Sequence, residues 1–130
     1  MKRLWLLILC ALLIPAFANA GGTKILYHHS EIPGPQISKD YYIKESLKKV
    51  DPKNPNLLQV KSYSTVTSPE GTTIYRVTYQ INCKTRKSTM VEYWSSGFGK
   101  DNGLMVDGQW ISVDDYEDAK ALTKKICPKK

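Results

Sequence analysis

The sequence predicts an α+β domain: an antiparallel β-sheet, a meander, covered by a C-terminal α-helix that one disulfide staples in place. Three observations predict it. Residues 72–83 alternate, with Tyr75, Val77, Tyr79, Ile81 and Cys83 on one face and Arg76, Thr78, Gln80 and Asn82 on the other. That is the period-2 pattern of a strand with one buried and one wet side. Residues 113–127 place Val113, Tyr116, Ala119, Thr123, Ile126 and Cys127 at helical spacing on one face. Cys83 and Cys127 are also the only cysteines left once an export signal is removed.

Residues 1–20 read as that signal. Lys2 and Arg3 supply a positive start, 4–14 is an apolar run too short to span a bilayer comfortably, and Ala18-Asn19-Ala20 is a small-x-small cleavage pattern behind Pro15. Cys10 lies inside the apolar run and follows Leu9, so it is not placed for lipidation, and no transmembrane segment is expected after cleavage. The remaining chain, residues 21–130, suits one domain. Removing Lys2 and Arg3 takes the formal charge from +7 to +5. In an oxidising compartment two cysteines allow one pairing, Cys83 with Cys127, closing a loop worth roughly 4 kcal/mol on the chain-entropy account.

The elements follow in order. Residues 24–29 read as a first strand, broken at 32–35 by two prolines. A second strand is expected at 41–46, and 51–56 reads as a loop. Residues 57–67 are rich in β-branched and aromatic side chains. Ser68-Pro69-Glu70-Gly71 fits a type I turn into the alternating strand. Residues 84–86 are a polar turn and 88–95 the next strand, in which Met90, Glu92 and Trp94 share one face and Val91 and Tyr93 the other, the core side. Residues 97–103 read as a loop and 104–106 as a short edge strand. Ser112 is placed to cap the last helix, with Asp115 completing a capping box. Acidic residues crowd its start, lysines its end, and Pro128 stops it.

No catalytic or metal-binding constellation emerges. His28 and His29 are adjacent on a strand and point to opposite faces, so they cannot share a metal ion. No serine sits in a nucleophile elbow, and both cysteines are committed to the bridge. The acidic run Asp114, Asp115, Glu117, Asp118 is accounted for by capping and the helix dipole. An enzyme and a cofactor are therefore not expected. The candidate binding residues are Lys84, Arg86 and Lys87, clustered at one turn, and Trp94, a large aromatic on the outer sheet face. Basic runs of this kind are more often a solvated face.

From Tyr41 onward the chain resembles the surface-adhesin protein E family of small exported bacterial proteins. The resemblance is carried by Asp40-Tyr41-Tyr42-Ile43, Gln80-Ile81-Asn82-Cys83-Lys84, Tyr93, Trp110-Ile111 and Ile126-Cys127. It implies a mostly antiparallel sheet with a C-terminal helix tied down by a disulfide. In the founding type it also implies an adhesive role towards host matrix and serum proteins. That type is anchored by lipid, and this chain departs from it there. The family offers no catalytic residues.

The expectation is thus an exported, non-enzymatic envelope protein, in the periplasm or secreted, binding a protein or an anionic glycan. Nucleic acid is not an expected partner, and a homodimer is compatible with the sequence. The alternative is a periplasmic inhibitor of an envelope-degrading enzyme such as a lysozyme. Charge counts against it, because a +5 inhibitor is repelled by a basic enzyme.

Overall fold

A computed structural model describes residues 22–32, 34–97, 99–100 and 106–129. The signal segment 1–20 lies outside them. So do residues 104 and 105 of the expected edge strand, and Val106 is in no strand.

The described residues form one antiparallel sheet of eight strands, curved into a half-barrel, with a single C-terminal α-helix. Strands β1 (Lys24–Ile32) and β2 (Gln36–Ile43) make a hairpin whose turn contains Gly34 at φ 101°, a conformation that favours glycine. A 3₁₀ turn (Lys44–Ser46) leads to β3 (Lys48–Asp51) and then to the long β4 (Asn54–Ser68). β4 pairs with β3 along its first half, β2 along its second, and β5 (Gly71–Asn82) on its other side. β6 (Lys87–Ser95) follows β5, and the two-residue strands β7 (Gly99–Lys100) and β8 (Ile111–Ser112) both pair with β6 near its opposite ends. A second 3₁₀ turn (Val113–Asp115) precedes the helix α1 (Glu117–Ile126).

Two expectations about the first half are corrected. Residues 51–56 are not a loop but the tight end of the β3–β4 hairpin. The Asp51 and Asn54 side chains accept the Lys53 and Asn56 N–H groups at 2.9 and 3.2 Å, which lets the chain reverse in two residues. Pro55 is tolerated because β5 pairing begins only at Leu57. The second strand starts earlier than expected, at Gln36, and ends at Ile43, so 44–46 is a turn.

The alternation in β5 holds. Val77 and Ile81 are buried, and Ile81 packs with Leu58 and Val60 of β4, Tyr42 of β2 and Leu122 and Ile126 of α1 in one core cluster. Burying each such side chain stabilises by about 1.5–3 kcal/mol. The helix differs in detail. Ser112 caps the 3₁₀ turn, accepting the Asp114 N–H, while α1 starts at Glu117 after Tyr116, whose extended backbone breaks the helical phase. Tyr116 is therefore 53% exposed rather than part of the buried face, and Leu122, at 1%, takes the central place with Ala119, Thr123 and Ile126 around it. That set follows the i, i+3, i+4, i+7 spacing of one helix stripe.

The Cys83–Cys127 disulfide joins the end of β5 to the end of α1, with Cα atoms 5.7 Å apart. Three residues on, Arg86 holds the other end of the same segment. Its carbonyl accepts the Val113 N–H at 3.0 Å, and its guanidinium donates twice to the Asp114 carboxylate, at 2.7 and 3.2 Å. The pair holds the Asp114 carboxyl below its usual range. No helix of the described residues is long and apolar enough to cross a membrane.

Two half-buried tyrosines, Tyr27 and Tyr79, sit where β1 and β5 meet the core. Tyr27 bonds Ser62 at 3.0 Å, and both Tyr27 and Tyr79 are pushed well above the ordinary tyrosine pKa, first by desolvation and then by nearby anions, including Asp40 and Asp118. Both must stay protonated in the fold.

Two stability measurements follow. Replacing Cys83 and Cys127 together by Ser lowers the unfolding free energy in urea by about 4 kcal/mol, whereas a loss below about 1 kcal/mol would show the bridge to be incidental. The stability due to the two phenols is complete below the unfolded tyrosine value near 10 and falls as pH rises above it. Urea midpoints at pH 8 and pH 11 record that fall, and Tyr79→Phe makes it shallower; an equal fall in the variant contradicts the assignment.

Candidate functional site

The face of the sheet turned away from α1 is where the chemistry gathers. Strand alternation sends every second side chain there, and the pairing register aligns them in rows across the strands. One row runs Trp94 on β6, Arg76 on β5, Tyr63 on β4 and Tyr41 on β2, each directly opposite the next. On one side of it lie Glu92, Thr78 and Lys61, with Lys24 of β1 beyond them opposite Ile43. On the other side Thr65 faces Lys39, which in turn faces His29.

These rows enclose two hollows in series. The first, of about 540 Å³, is bordered by Lys24, Ile43, Lys61, Arg76, Glu92 and Trp94, with buried Thr78 in its lining. The second, of about 560 Å³, is bordered by Lys39, Tyr41, Ile37, Thr65 and Thr67. Lys24 and Tyr63 belong to both, so the two form one open groove.

Two of the groove cations are laid on aromatic rings. The Lys24 ammonium lies 3.9 Å from the centre of the Tyr63 ring, and the Arg76 guanidinium carbon 4.8 Å from that of Trp94. Such contacts are worth about 0.5–1 kcal/mol at exposed sites, and they restrain long flexible side chains. The ion pairs among the described residues are His28–Asp40 and Arg86–Asp114, so no carboxylate of the described residues lies within 4.0 Å of Lys24, Lys39, Lys61 or Arg76. Among the described residues the one carboxylate bordering the groove is Glu92. A face with four cations and one anion presents a net positive field to whatever enters it.

Of the four residues singled out from the sequence, Trp94 is brought into this groove. Its place depends on a bulge: Glu92 opposes Thr78 but Met90 opposes Tyr79, leaving Val91 as an extra residue. Met90 therefore lies on the core side rather than with Glu92 and Trp94 as expected, and Tyr93 is buried. Lys84, Arg86 and Lys87 lie at the β5–β6 turn, away from the groove lining. Arg86 is engaged with Asp114, while Lys84 and Lys87 are exposed. Lys24, Lys39, Lys61, Arg76 and Tyr63 were not singled out, because each cation comes from a different strand and only the register unites them.

The two histidines do diverge. His28 Nδ1 lies 2.9 Å from the buried Asp40 carboxylate on the core side, and His29 is exposed beside Lys39. Among the described residues no three His, Cys, Asp or Glu side chains converge on a point that could hold a metal ion. No protein-family model, curated protein or solved structure matches the chain.

Proposed function

We propose that this is an exported, non-enzymatic binding protein of the bacterial envelope or its exterior, related to the surface-adhesin protein E-like proteins, and that the groove on the outer sheet face receives an anionic partner. The observation that carries the reading is the set of four cations from four strands, gathered on one face without carboxylate partners among the described residues. Charged groups left unpaired at a surface cost little in water, and they gain most when an anion arrives and displaces that water. The disulfide supports an oxidising destination. The sheet, the C-terminal helix and the bridge are also what the family resemblance implies.

Two measurements test this. Expressed from residue 1 in a bacterial host, the protein recovered from the envelope or the medium should by intact mass begin at Gly21. Recovery solely as an uncleaved chain in the membrane would refute export by cleavage. For the groove, two double variants lose the same charge: Lys61→Gln with Arg76→Gln, and Lys84→Gln with Lys87→Gln. On a sulfonate resin the first should elute at clearly lower salt than the second, with both unfolding within about 1 kcal/mol of the parent, since all four side chains are exposed. Equal elution would remove the groove as the anion-binding face.

A further inference from the structure

We propose that the groove is built for an extended acidic glycan, a chain of sugar rings bearing carboxylates, lying across the strands along the row from Trp94 to Tyr41. This inference rests on the groove being the anion-binding face, and it names the class of ligand.

Shape gives the first argument. The two hollows are joined end to end through Lys24 and Tyr63, so the site is elongated and open rather than a closed pocket for one small anion. From β6 to β2 it crosses three strand spacings, about 15 Å, and the cations are spread along it rather than focused on one point. A linear ligand with charges at intervals fits that spread. A single phosphate or carboxylate does not.

The second argument separates a glycan from an acidic peptide. The groove lies on the face of β2, β4 and β5, whose backbone groups are paired in ladders on both sides, and it ends at β6, which β7 and β8 cover only near its two ends. A peptide that joins a sheet needs a free edge, and the edges here, at β1 and the middle of β6, run with the strands and so across the line from Trp94 to Tyr41. A peptide laid on the face would bury its own amide groups against side chains. A glycan makes no such demand. Its hydroxyls need scattered donors and acceptors, and the groove offers them in Thr65, Thr78, Tyr41 and Tyr63, whose hydroxyls form no hydrogen bond among the described residues.

The rings then divide into two roles. Tyr63 and Trp94 carry cations on their faces, so they hold Lys24 and Arg76 ready and reduce the ordering needed on binding. Tyr41, in the second hollow, carries no cation and is left as a platform for a sugar ring. Arg76, whose guanidinium carbon lies over the Trp94 ring, brings the fork of N–H donors that suits a carboxylate.

The test is calorimetric titration of the disulfide-bonded protein with uronate oligosaccharides of four to six rings: oligogalacturonate, hyaluronan fragments and heparin fragments. The comparison probes are methyl-esterified oligogalacturonate, polyglutamate and oligothymidylate of matched length. At least one acidic glycan should bind about tenfold or more tightly than every comparison probe. Arg76→Ala should weaken it about tenfold, Tyr41→Ala several-fold, and Lys84→Ala not at all. If polyglutamate or oligothymidylate binds as tightly and is weakened by Arg76→Ala, the glycan assignment falls while the groove stands. If no probe responds to Arg76→Ala or Lys61→Ala, both fall.

Discussion

The turn between β5 and β6 carries Cys83 at its start and Arg86 at its end, and both ends of the C-terminal segment are fastened to it. Cys83 takes the far end through the disulfide to Cys127; Arg86 takes the near end through its carbonyl and its guanidinium. Between these fixings the chain runs out past Tyr116 and returns as α1, a ten-residue helix that would be marginal alone. Held at both ends, it lays Leu122 and Ile126 over Val60 and Ile81 and closes the core. Arg86 itself sits at φ 57°, a left-handed conformation that costs a non-glycine residue about 1–2 kcal/mol. The residue is thus held by its contacts at both ends of the turn rather than by its own preference.

Fastening the helix to one face frees the other. The core face takes the apolar side chains of β2, β4 and β5, the two phenols and the His28–Asp40 pair, all of which need a dry and ordered setting. The opposite face carries threonines, tyrosines and cations whose charged ends remain in water. Stability and recognition therefore draw on alternate residues of the same strands. Arg76 and Thr78 serve the groove, while Val77 between them serves the core.

Much of this division was legible in the sequence. The alternation through β5 assigned its two faces correctly, the paired cysteines located the staple, and the helical spacing found α1. What escaped had physical reasons. The Asp51–Asn56 stretch has the composition of a loop, and only its side-chain bonds to the backbone reveal a hairpin folded in two residues. Tyr116 obeys the helical spacing but falls at a joint between two kinds of helix, where the phase is lost. The groove was the least legible part. Clusters along the chain, such as Lys84, Arg86 and Lys87, are visible by eye, yet Arg86 is occupied by Asp114. Lys24, Lys39, Lys61 and Arg76 come together only through pairings among β1, β2, β4 and β5 that no local pattern encodes.

The bulge at Val91 has a wider consequence. A strand's faces are a matter of parity, and one unpaired residue resets the parity of everything beyond it. Upstream of Val91, β6 presents Ser88 and Met90 inward; downstream it presents Tyr93 and Ser95 inward and Trp94 outward. Were Val91 instead taken into the ladder as an ordinary paired residue, the phase would carry the indole into the core and the phenol into the groove, with no change in composition. A lineage of such proteins could therefore lose or regain a single codon at this point and keep its aromatic end wall, because the bulge takes up the change in length, while the staple and the helix at the other end of β6 remained untouched.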